Sequence, residues 1–146
     1  MGSINITDLK ITPQKQLKNE LGSIFHALKS EEEDFNGFGE AYFSSVNHGQ
    51  IKSWRRHNCS IANIVVPVGE IRFVFYDDRV DSATCGNFGE IKLSPHNYLR
   101  ITVPQKIWMA FQGCSHEQNL LLNIASLPHD PLESDQLSLE EIPYNW

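Results

Sequence analysis

The sequence predicts an all-β domain, either a sandwich or a barrel built from short strands. From about residue 61 onward, short apolar or alternating segments follow one another at close intervals, which is typical of strands. Gly, Pro, Asn and Asp residues stand between these segments, where tight turns need them. No apolar periodicity indicates a long helix, and 146 residues with 40% hydrophobic content suit a single domain over residues 1–146.

The first 40 residues are predicted to be a short, irregular N-terminal segment. An early strand is expected over 21–28, and the charge run at 30–34, SEEED, is expected to form a solvated turn. Five further strands are predicted, at 61–68, 70–77, 90–93, 98–103 and 120–124, because these segments are β-branched, apolar or alternating. Turn and loop residues separate them at 68–70, 94–97 and 104–106.

The tail is predicted to be an extended arm. Residues 128–146 hold three prolines and five acidic residues and end in the aromatic residues Tyr144 and Trp146. One short turn is expected near 139–141.

Composition excludes several classes of function. The net charge is −6 and Arg55-Arg56 is the only dense basic spot, so neither nucleic acid nor an anionic membrane is expected as a partner. No apolar run approaches the roughly 20 residues of a membrane helix, and no signal peptide is evident. The start, Met-Gly-Ser, matches an acylation signal only loosely. Three widely spaced cysteines without a CxxC pair indicate free thiols, so the cytoplasm is the expected compartment.

The segment between Gly49 and Gly69 carries the most informative spacing. Five residues separate Gly49 from Arg55-x-His57, and Asn63 and then Gly69 follow. This spacing resembles the first motif of the cupin barrels, in which two histidines and a glutamate bind a metal. Here Arg55 stands at the first histidine and Asn63 at the glutamate. No metal site is therefore expected, and the site is expected to work through side chains alone.

A wider resemblance covers the chain from about Gly22 onward. It is carried, in this order, by the segments GFGEAYFSSVNHGQIKSWRRH, VPVGEIRFVFYDDR, LSPHNYLRITVP, LLLNIASLPHDPLE and IPYNW. Together they resemble the dTDP-4-dehydrorhamnose 3,5-epimerase family and related nucleotide-sugar cupins. The resemblance implies a cupin-type jelly-roll barrel, a homodimer, a 4-keto-6-deoxy nucleotide sugar as substrate, and no metal or organic cofactor.

The same resemblance implies a mechanism and shows where this chain departs from it. In the family, a His oriented by an Asp removes a proton next to the C4 ketone, and a Tyr returns a proton from the opposite face. The family's catalytic His falls on Arg55, its Tyr falls near Asn123, and a further His falls on Met109. A guanidinium stays protonated near neutral pH and cannot act as a base. The catalytic groups must therefore differ from those of the family.

His57 is the predicted base and Tyr42 the predicted acid, with Tyr144 as a second choice for the acid. His57 and Arg55 share a strand face because they are two residues apart. Arg55 and Lys52 are both candidates to hold phosphate or an enolate, and Arg55 is favoured because parity puts Lys52 on the opposite face if the strand is regular. A hydrogen-bonded structural role is the equal alternative for His57.

The other candidates each have a structural alternative. Arg72 is a second candidate for phosphate or enolate, but a salt bridge across the sheet explains it equally well. Trp54 and Trp108 are candidates for stacking on a sugar or base, although core packing is the commoner use of Trp in a small barrel. Glu40 shares a face with Tyr42, and Asn123 completes the set of candidate substrate-binding residues. The His129-Asp130 pair is expected to lock a proline-rich loop.

Two functions of different class remain open from the sequence. The first is a cofactor-free nucleotide-sugar epimerase or isomerase in surface-polysaccharide synthesis, such as that of lipopolysaccharide. The alternative is a cupin module that binds a nucleotide sugar without catalysis, which the substitutions at Arg55, Met109 and Asn123 favour. A purely structural subunit of a biosynthetic complex is a third, weaker interpretation.

Overall fold

A computed structural model describes residues 4–146, and almost all of its regular structure is β-strand. The loose acylation match at residues 1–3 lies outside the described range. In chain order, the elements are β1 (Lys10–Pro13), β2 (Gln16–Asn19), β3 (Gly22–Phe25), β4 (Glu40–Ser45), β5 (Ile51–His57), β6 (Ala62–Val68), β7 (Ile71–Tyr76), β8 (Phe88–Leu93), β9 (Leu99–Val103), β10 (Trp108–Gly113), β11 (Leu120–Ala125), a 3₁₀ turn (Pro131–Glu133) and β12 (Ser134–Gln136).

The strands form two five-stranded sheets and one separate hairpin. The first sheet has the order β1-β9-β6-β11-β4 and the second has the order β12-β5-β10-β7-β8. All strand pairs are antiparallel, and neighbours in a sheet are mostly distant in sequence, which is the pattern of a jelly roll. Strands β2 and β3 pair only with each other. The predicted all-β jelly-roll class is confirmed.

The predicted strands are present, and others were missed. The five strands from 61 to 124 all form, with bounds shifted by at most two residues, and the early strand shortens to Gly22–Phe25. Strand β10 was missed because both of its faces are apolar: Trp108 and Ala110 lie on one side, and Met109 and Phe111 on the other. Such a strand shows no hydrophobic alternation in the sequence.

The core lies between the two sheets. Ile71, Phe73 and Phe75 of β7 point into it and are fully buried, as their alternation predicted. They pack against Ile64 and Ile101 of the opposite sheet. Full burial of each such side chain contributes about 1.5–3 kcal/mol, so this layer fixes which face of each strand is internal.

The C-terminal arm covers the outer face of the second sheet. Leu137, Leu139, Ile142, Tyr144 and Trp146 belong to a cluster with buried side chains of β5, β7 and β10, namely Trp54, Val74, Trp108 and Ala110. The indole N–H of Trp54 donates a hydrogen bond to the carbonyl of Ile142 (3.1 Å). The predicted extended arm is therefore a second packing layer.

The outer face of the first sheet is covered by the loop that contains the charge run. Arg100, only 1% exposed, donates to the carboxylates of Glu32 (2.6 Å) and Asp34 (3.1 Å). Asn63 donates to the carbonyl of Asp34 and accepts from Thr102. The run expected to be a solvated turn therefore anchors its loop through a buried guanidinium. Among residues 4–146, no helix is long and apolar enough to cross a bilayer.

Candidate active site

A cavity of about 540 Å³ opens between the two sheets. Its apolar wall includes Ile64, Val103, Ile107, Met109, Phe111 and Leu121, and its polar and charged wall includes Tyr42, Lys52, Arg55, His57, Asn123 and His129. A volume of this size accommodates a small-molecule ligand. We therefore consider the cavity the candidate active site.

A β-bulge in β5 determines which side chains reach this cavity. Along the pairing with β10, Arg55 lies opposite Met109 and Lys52 lies opposite Phe111, with a register shift between the two pairs. Strand β5 therefore carries one extra residue at 53–54, which reverses the side-chain alternation across that point. Lys52 and Arg55 consequently both line the cavity, whereas parity in a regular strand predicted opposite faces.

His57, on the cavity wall, is paired with a carboxylate from outside it. Its Nδ1 lies 2.6 Å from Oε1 of Glu133, and both side chains are largely buried. The other oxygen of Glu133 accepts hydrogen bonds from the backbone amides of Cys59 (2.9 Å) and Ser60 (3.0 Å). With Nδ1–H donating to Glu133, a neutral imidazole carries its free lone pair on Nε2.

The carboxyl group of Glu133 is held in its charged form. Burial raises the pKa of Glu133, but the hydrogen bonds from His57 and from the amides of Cys59 and Ser60 outweigh burial and leave it below its usual range. Glu133 reaches His57 because β12 pairs with β5, with Ser134 directly opposite His57. Glu133 was not among the residues predicted from the sequence.

The two cations of the cavity wall have different surroundings. Lys52 donates to the hydroxyl of Ser44 (2.9 Å) and lies 5.9 Å from the centre of the Phe111 ring. The side chain of Arg55 makes no hydrogen bond or ion pair with any other residue in the range 4–146. Its guanidinium is available to a ligand.

Tyr42 and Asn123 face each other across the pairing of β4 with β11. The side-chain amide of Asn123 donates to the hydroxyl oxygen of Tyr42 (2.9 Å). Because the phenol oxygen accepts this bond, its own O–H is free for another partner. Both residues line the cavity, where the sequence analysis expected them to act.

His129 also lines the cavity, although only a loop-locking role was predicted for it. Its backbone amide donates to the carboxylate of Glu40 (2.9 Å). Glu40 itself is absent from the cavity wall, so the structure gives it the loop-holding role instead of substrate binding. Proline residues on either side of His129-Asp130 suggested rigidity, but no local signal indicated that the loop borders the cavity.

Three further predicted site residues, Arg72, Tyr144 and Trp108, are absent from the cavity wall. Arg72 pairs with Glu90 (2.8 Å), and the hydroxyl of Tyr144 donates to the same carboxylate (2.6 Å). Trp108 donates to Asp78 (2.9 Å). Trp54 borders the cavity at the bulge, but its indole packs under the C-terminal arm. The side chains of Arg72, Trp54 and Trp108 are on the outer face of the second sheet because their strand positions alternate with the inward-facing ones. Tyr144 belongs to the arm that covers this face. The expected roles of these four residues in catalysis and stacking are therefore corrected to structural ones.

The cavity also lacks a set of side chains suited to a metal. Asn63, at the glutamate position of the cupin motif, faces the outer loop and bonds to Thr102. Among the described residues, no group of three or more His, Cys, Asp or Glu side chains has a metal-binding arrangement. The wall instead offers two imidazoles and two cations, and the cations would repel a metal ion.

Comparisons with known proteins agree with this architecture. No protein-family model matches the chain. It is 29% identical over 143 residues to a probable low-salt glycan biosynthesis epimerase, Agl13, of Haloferax volcanii, covering 97% of this chain and 90% of that protein. A dTDP-4-dehydrorhamnose 3,5-epimerase structure from Bacillus anthracis shares the fold at 18% identity, with a TM-score of 0.85 over 99% of this chain and 87% of that one.

A crystal structure of a dTDP sugar isomerase from Desulfovibrio desulfuricans G20 is more similar. It superposes with a TM-score of 0.94 at 30% sequence identity and covers 100% of this chain and 95% of that one. Likeness at this level over nearly the full length of both chains extends beyond the fold to the sequence. The chain therefore belongs to the family of dTDP-sugar isomerases and epimerases.

Proposed function

We propose that this protein is an epimerase or isomerase of a nucleotide-linked 4-keto-6-deoxy sugar, of the dTDP-4-dehydrorhamnose 3,5-epimerase type, in surface-polysaccharide biosynthesis. The observation that carries the proposal is that His57 lines a ligand-sized cavity and is hydrogen-bonded to the carboxylate of Glu133. The glycan biosynthesis epimerase and the dTDP sugar isomerase to which the chain is similar support the substrate class. We further propose that the protein acts in the cytoplasm as a homodimer.

The proposed chemistry begins with proton transfer to His57. The C4 ketone acidifies the hydrogens on C3 and C5, and Nε2 of His57 takes one of them. The C–H electron pair forms a carbon–carbon double bond, and the carbonyl electron pair moves to oxygen as an enolate. Glu133 stabilises the imidazolium that results and keeps the ring oriented.

A second group must return a proton to the opposite face of the carbon. Tyr42 is the proposed donor because it lines the cavity and its O–H is not used in the bond with Asn123. His129 is the other ionisable side chain on the wall that could deliver a proton. Reprotonation at the same carbon gives the epimer, and this chemistry needs neither a metal nor an organic cofactor.

The apolar wall assists this reaction. Met109, Phe111 and Leu121 make part of the cavity wall apolar, and a site with little water strengthens the electrostatic interactions that stabilise an enolate. Arg55 at the family's base position is the observation that favours the alternative, a module that binds the sugar without turnover. The two functions differ in whether carbon-bound hydrogen exchanges with solvent.

The decisive experiment is deuterium exchange. The protein is incubated in heavy water with dTDP-, GDP- and CDP-linked 4-keto-6-deoxy sugars, and the C3 and C5 hydrogens are followed by NMR. We expect exchange with at least one sugar. Binding of a sugar without exchange at either carbon would instead support the non-catalytic module.

A variant identifies the base. His57→Asn is expected to lower the exchange rate by about 100- to 10,000-fold, the usual contribution of a general base. His48→Asn is the matched control, because His48 is exposed and stacks on His116 outside the cavity. An unchanged rate in His57→Asn would exclude His57 as the base.

A further inference from the structure

Arg55 is the only arginine among the described residues that has no carboxylate partner. The other four make ion pairs: Arg56 with Asp135 (2.7 Å), Arg72 with Glu90 (2.8 Å), Arg79 with Asp77 (2.9 Å) and Arg100 with Glu32 (2.6 Å). The chain has 18 acidic residues against 12 basic ones. A lack of carboxylates therefore does not explain why Arg55 is unpaired.

The position of Arg55 on the cavity wall, next to His57, indicates that its charge interacts with the ligand. It lines the cavity two residues before His57 on the same strand, which puts their Cα atoms roughly 7 Å apart on one face. At that spacing the side chains of Arg55 and His57 can both contact the same part of a bound ligand. Lys52 lies beyond the bulge and is engaged by Ser44, which puts it at a different part of the wall.

From this arrangement we infer that Arg55 is a catalytic residue that binds the C4 oxygen of the sugar and stabilises the enolate formed when His57 removes the neighbouring proton. The inference rests on the proposed function. The C4 oxygen gains the charge, and the carbon that loses its proton, C3 or C5, is bonded directly to C4. The base and the residue that donates hydrogen bonds to the oxygen must therefore lie close together. Arg55 and His57 meet that requirement, whereas Lys52 lies across the bulge and is bonded to Ser44.

The step balances without any additional reactant. The C–H bond breaks, an N–H bond forms on His57, and the electron pair ends on the C4 oxygen, which accepts hydrogen bonds from the guanidinium. Arg55 keeps all its protons because its pKa is too high for it to release one. The bulge at 53–54 is what allows Lys52 and Arg55 to occupy the same cavity wall in separate roles.

Exchange kinetics of Arg55 variants test the inference. The substrate is the panel sugar on which the wild-type protein exchanges fastest, and its free nucleoside diphosphate (dTDP, GDP or CDP) is the binding probe. At saturating sugar, Arg55→Gln is expected to exchange about 100- to 1,000-fold more slowly, the usual effect of losing one oxyanion donor. Its affinity for the nucleoside diphosphate, measured by calorimetry, should stay within about twofold of wild type, since the enolate oxygen is absent from that probe.

Two further variants sharpen the result. Arg55→Lys should recover part of the rate, because it keeps the charge and loses the planar donor pair. Arg72→Gln is the matched control, since Arg72 is on the outer face of the same sheet, and its exchange rate should not change. Thermal melting should give equal midpoints for Arg55→Gln and wild type, because Arg55 makes no ion pair that the substitution would break.

Three other outcomes would overturn the role of Arg55, the proposed function or both. An unchanged exchange rate in Arg55→Gln overturns the enolate role while the proposed function stands. Weaker binding of the nucleoside diphosphate with an unchanged rate at saturation assigns Arg55 to the phosphates instead. Absence of exchange in the wild-type protein with every sugar overturns the proposed function, and the role of Arg55 with it.

Discussion

Two carboxylates of this protein, Asp77 and Glu133, have pKa values below their usual range for different reasons. Asp77 is fully buried and accepts hydrogen bonds from Arg79, Ser82 and Thr84. The bond from Arg79 lowers its pKa most, and the hydroxyl bonds add to that against the opposing effect of burial. Glu133 instead keeps one of its oxygens for the cavity histidine. The first carboxylate stabilises the fold, and we propose that the second serves catalysis.

Asp77→Asn is therefore expected to destabilise the protein in a pH-dependent way. At pH 7 the loss should be about 3–5 kcal/mol, because Arg79 keeps its charge and loses its partner. A depressed folded-state pKa contributes stability above the unfolded value of about 3.9, and this contribution is lost as pH falls through the folded value. The difference between wild type and variant in urea unfolding should therefore shrink from pH 5 to pH 2.

Asp81→Asn is the control, because Asp81 is exposed on the same loop, and its effect should stay within about 0.5 kcal/mol. A difference between wild type and Asp77→Asn that is the same at pH 7 and pH 2 would contradict the assigned cause.

At the scale of residues, sequence reasoning succeeded where strand parity holds and failed where partners are remote. Motif spacing predicted His57 and Arg55 as site residues, and Tyr42 was predicted from its place before the motif. Glu133 is 76 positions from His57, and nothing local marks it as the partner of a histidine. Whether these residues carry out the proposed chemistry remains a prediction for the exchange experiments.

At the scale of elements, the bulge in β5 and the turn before β10 shape the cavity wall. The bulge could not be predicted, because Ile51–His57 contains neither Gly nor Pro to signal one. The turn contains Lys106, a non-glycine residue with φ of 66°. Its amide donates to the carbonyl of His57 (2.6 Å), so this strained turn fixes the end of the strand that carries the base.

Lys106→Gly is expected to stabilise the protein by about 0.5–1 kcal/mol. Glycine removes a left-handed strain of about 1–2 kcal/mol, which is partly offset by its greater freedom in the unfolded chain. Thermal or urea unfolding measures the change. Lys92→Gly, at an exposed position within β8, should lose about 0.5–1 kcal/mol. Destabilisation of equal size in both variants would show that the Lys106 turn stores no strain.

At the scale of the whole molecule, the sequence predicted the jelly roll and the extended arm but not how they are layered. Alternating segments such as Ile71–Tyr76 reveal which side of a strand is internal. They do not reveal what covers the other side. Arg100 and the Trp54 cluster lie on those outer faces, under a loop and an arm that are distant in sequence. Packing between segments so distant in sequence produces no hydrophobic periodicity from which it could be predicted.

The proposed homodimer is also a property of the whole molecule. The β2–β3 hairpin exposes Leu17 (49%) and its register partner Ile24 (56%), with Leu21 (98%) at its turn. A two-stranded hairpin with exposed apolar residues is marginal without further packing. Light scattering after size exclusion should give twice the chain mass of 16.6 kDa.

Charge substitution tests whether the hairpin is the contact. Leu17→Asp combined with Ile24→Asp should yield the monomer mass, because the pair would bury two carboxylates at the contact. Leu132→Asp is the control at an isolated exposed leucine (93% exposed) and should leave the mass of the wild-type protein unchanged. If the double variant remains a dimer, the hairpin does not form the dimer contact.

The pairing of β12 with β5 has a consequence for the order in which the protein is made. Synthesis proceeds from the N-terminus, so every barrel strand through Leu120–Ala125 leaves the ribosome before Glu133 does. His57 can therefore acquire its carboxylate only after every other strand of the barrel has been made. The pair on which the proposed catalysis depends is then the last part of the site to be completed.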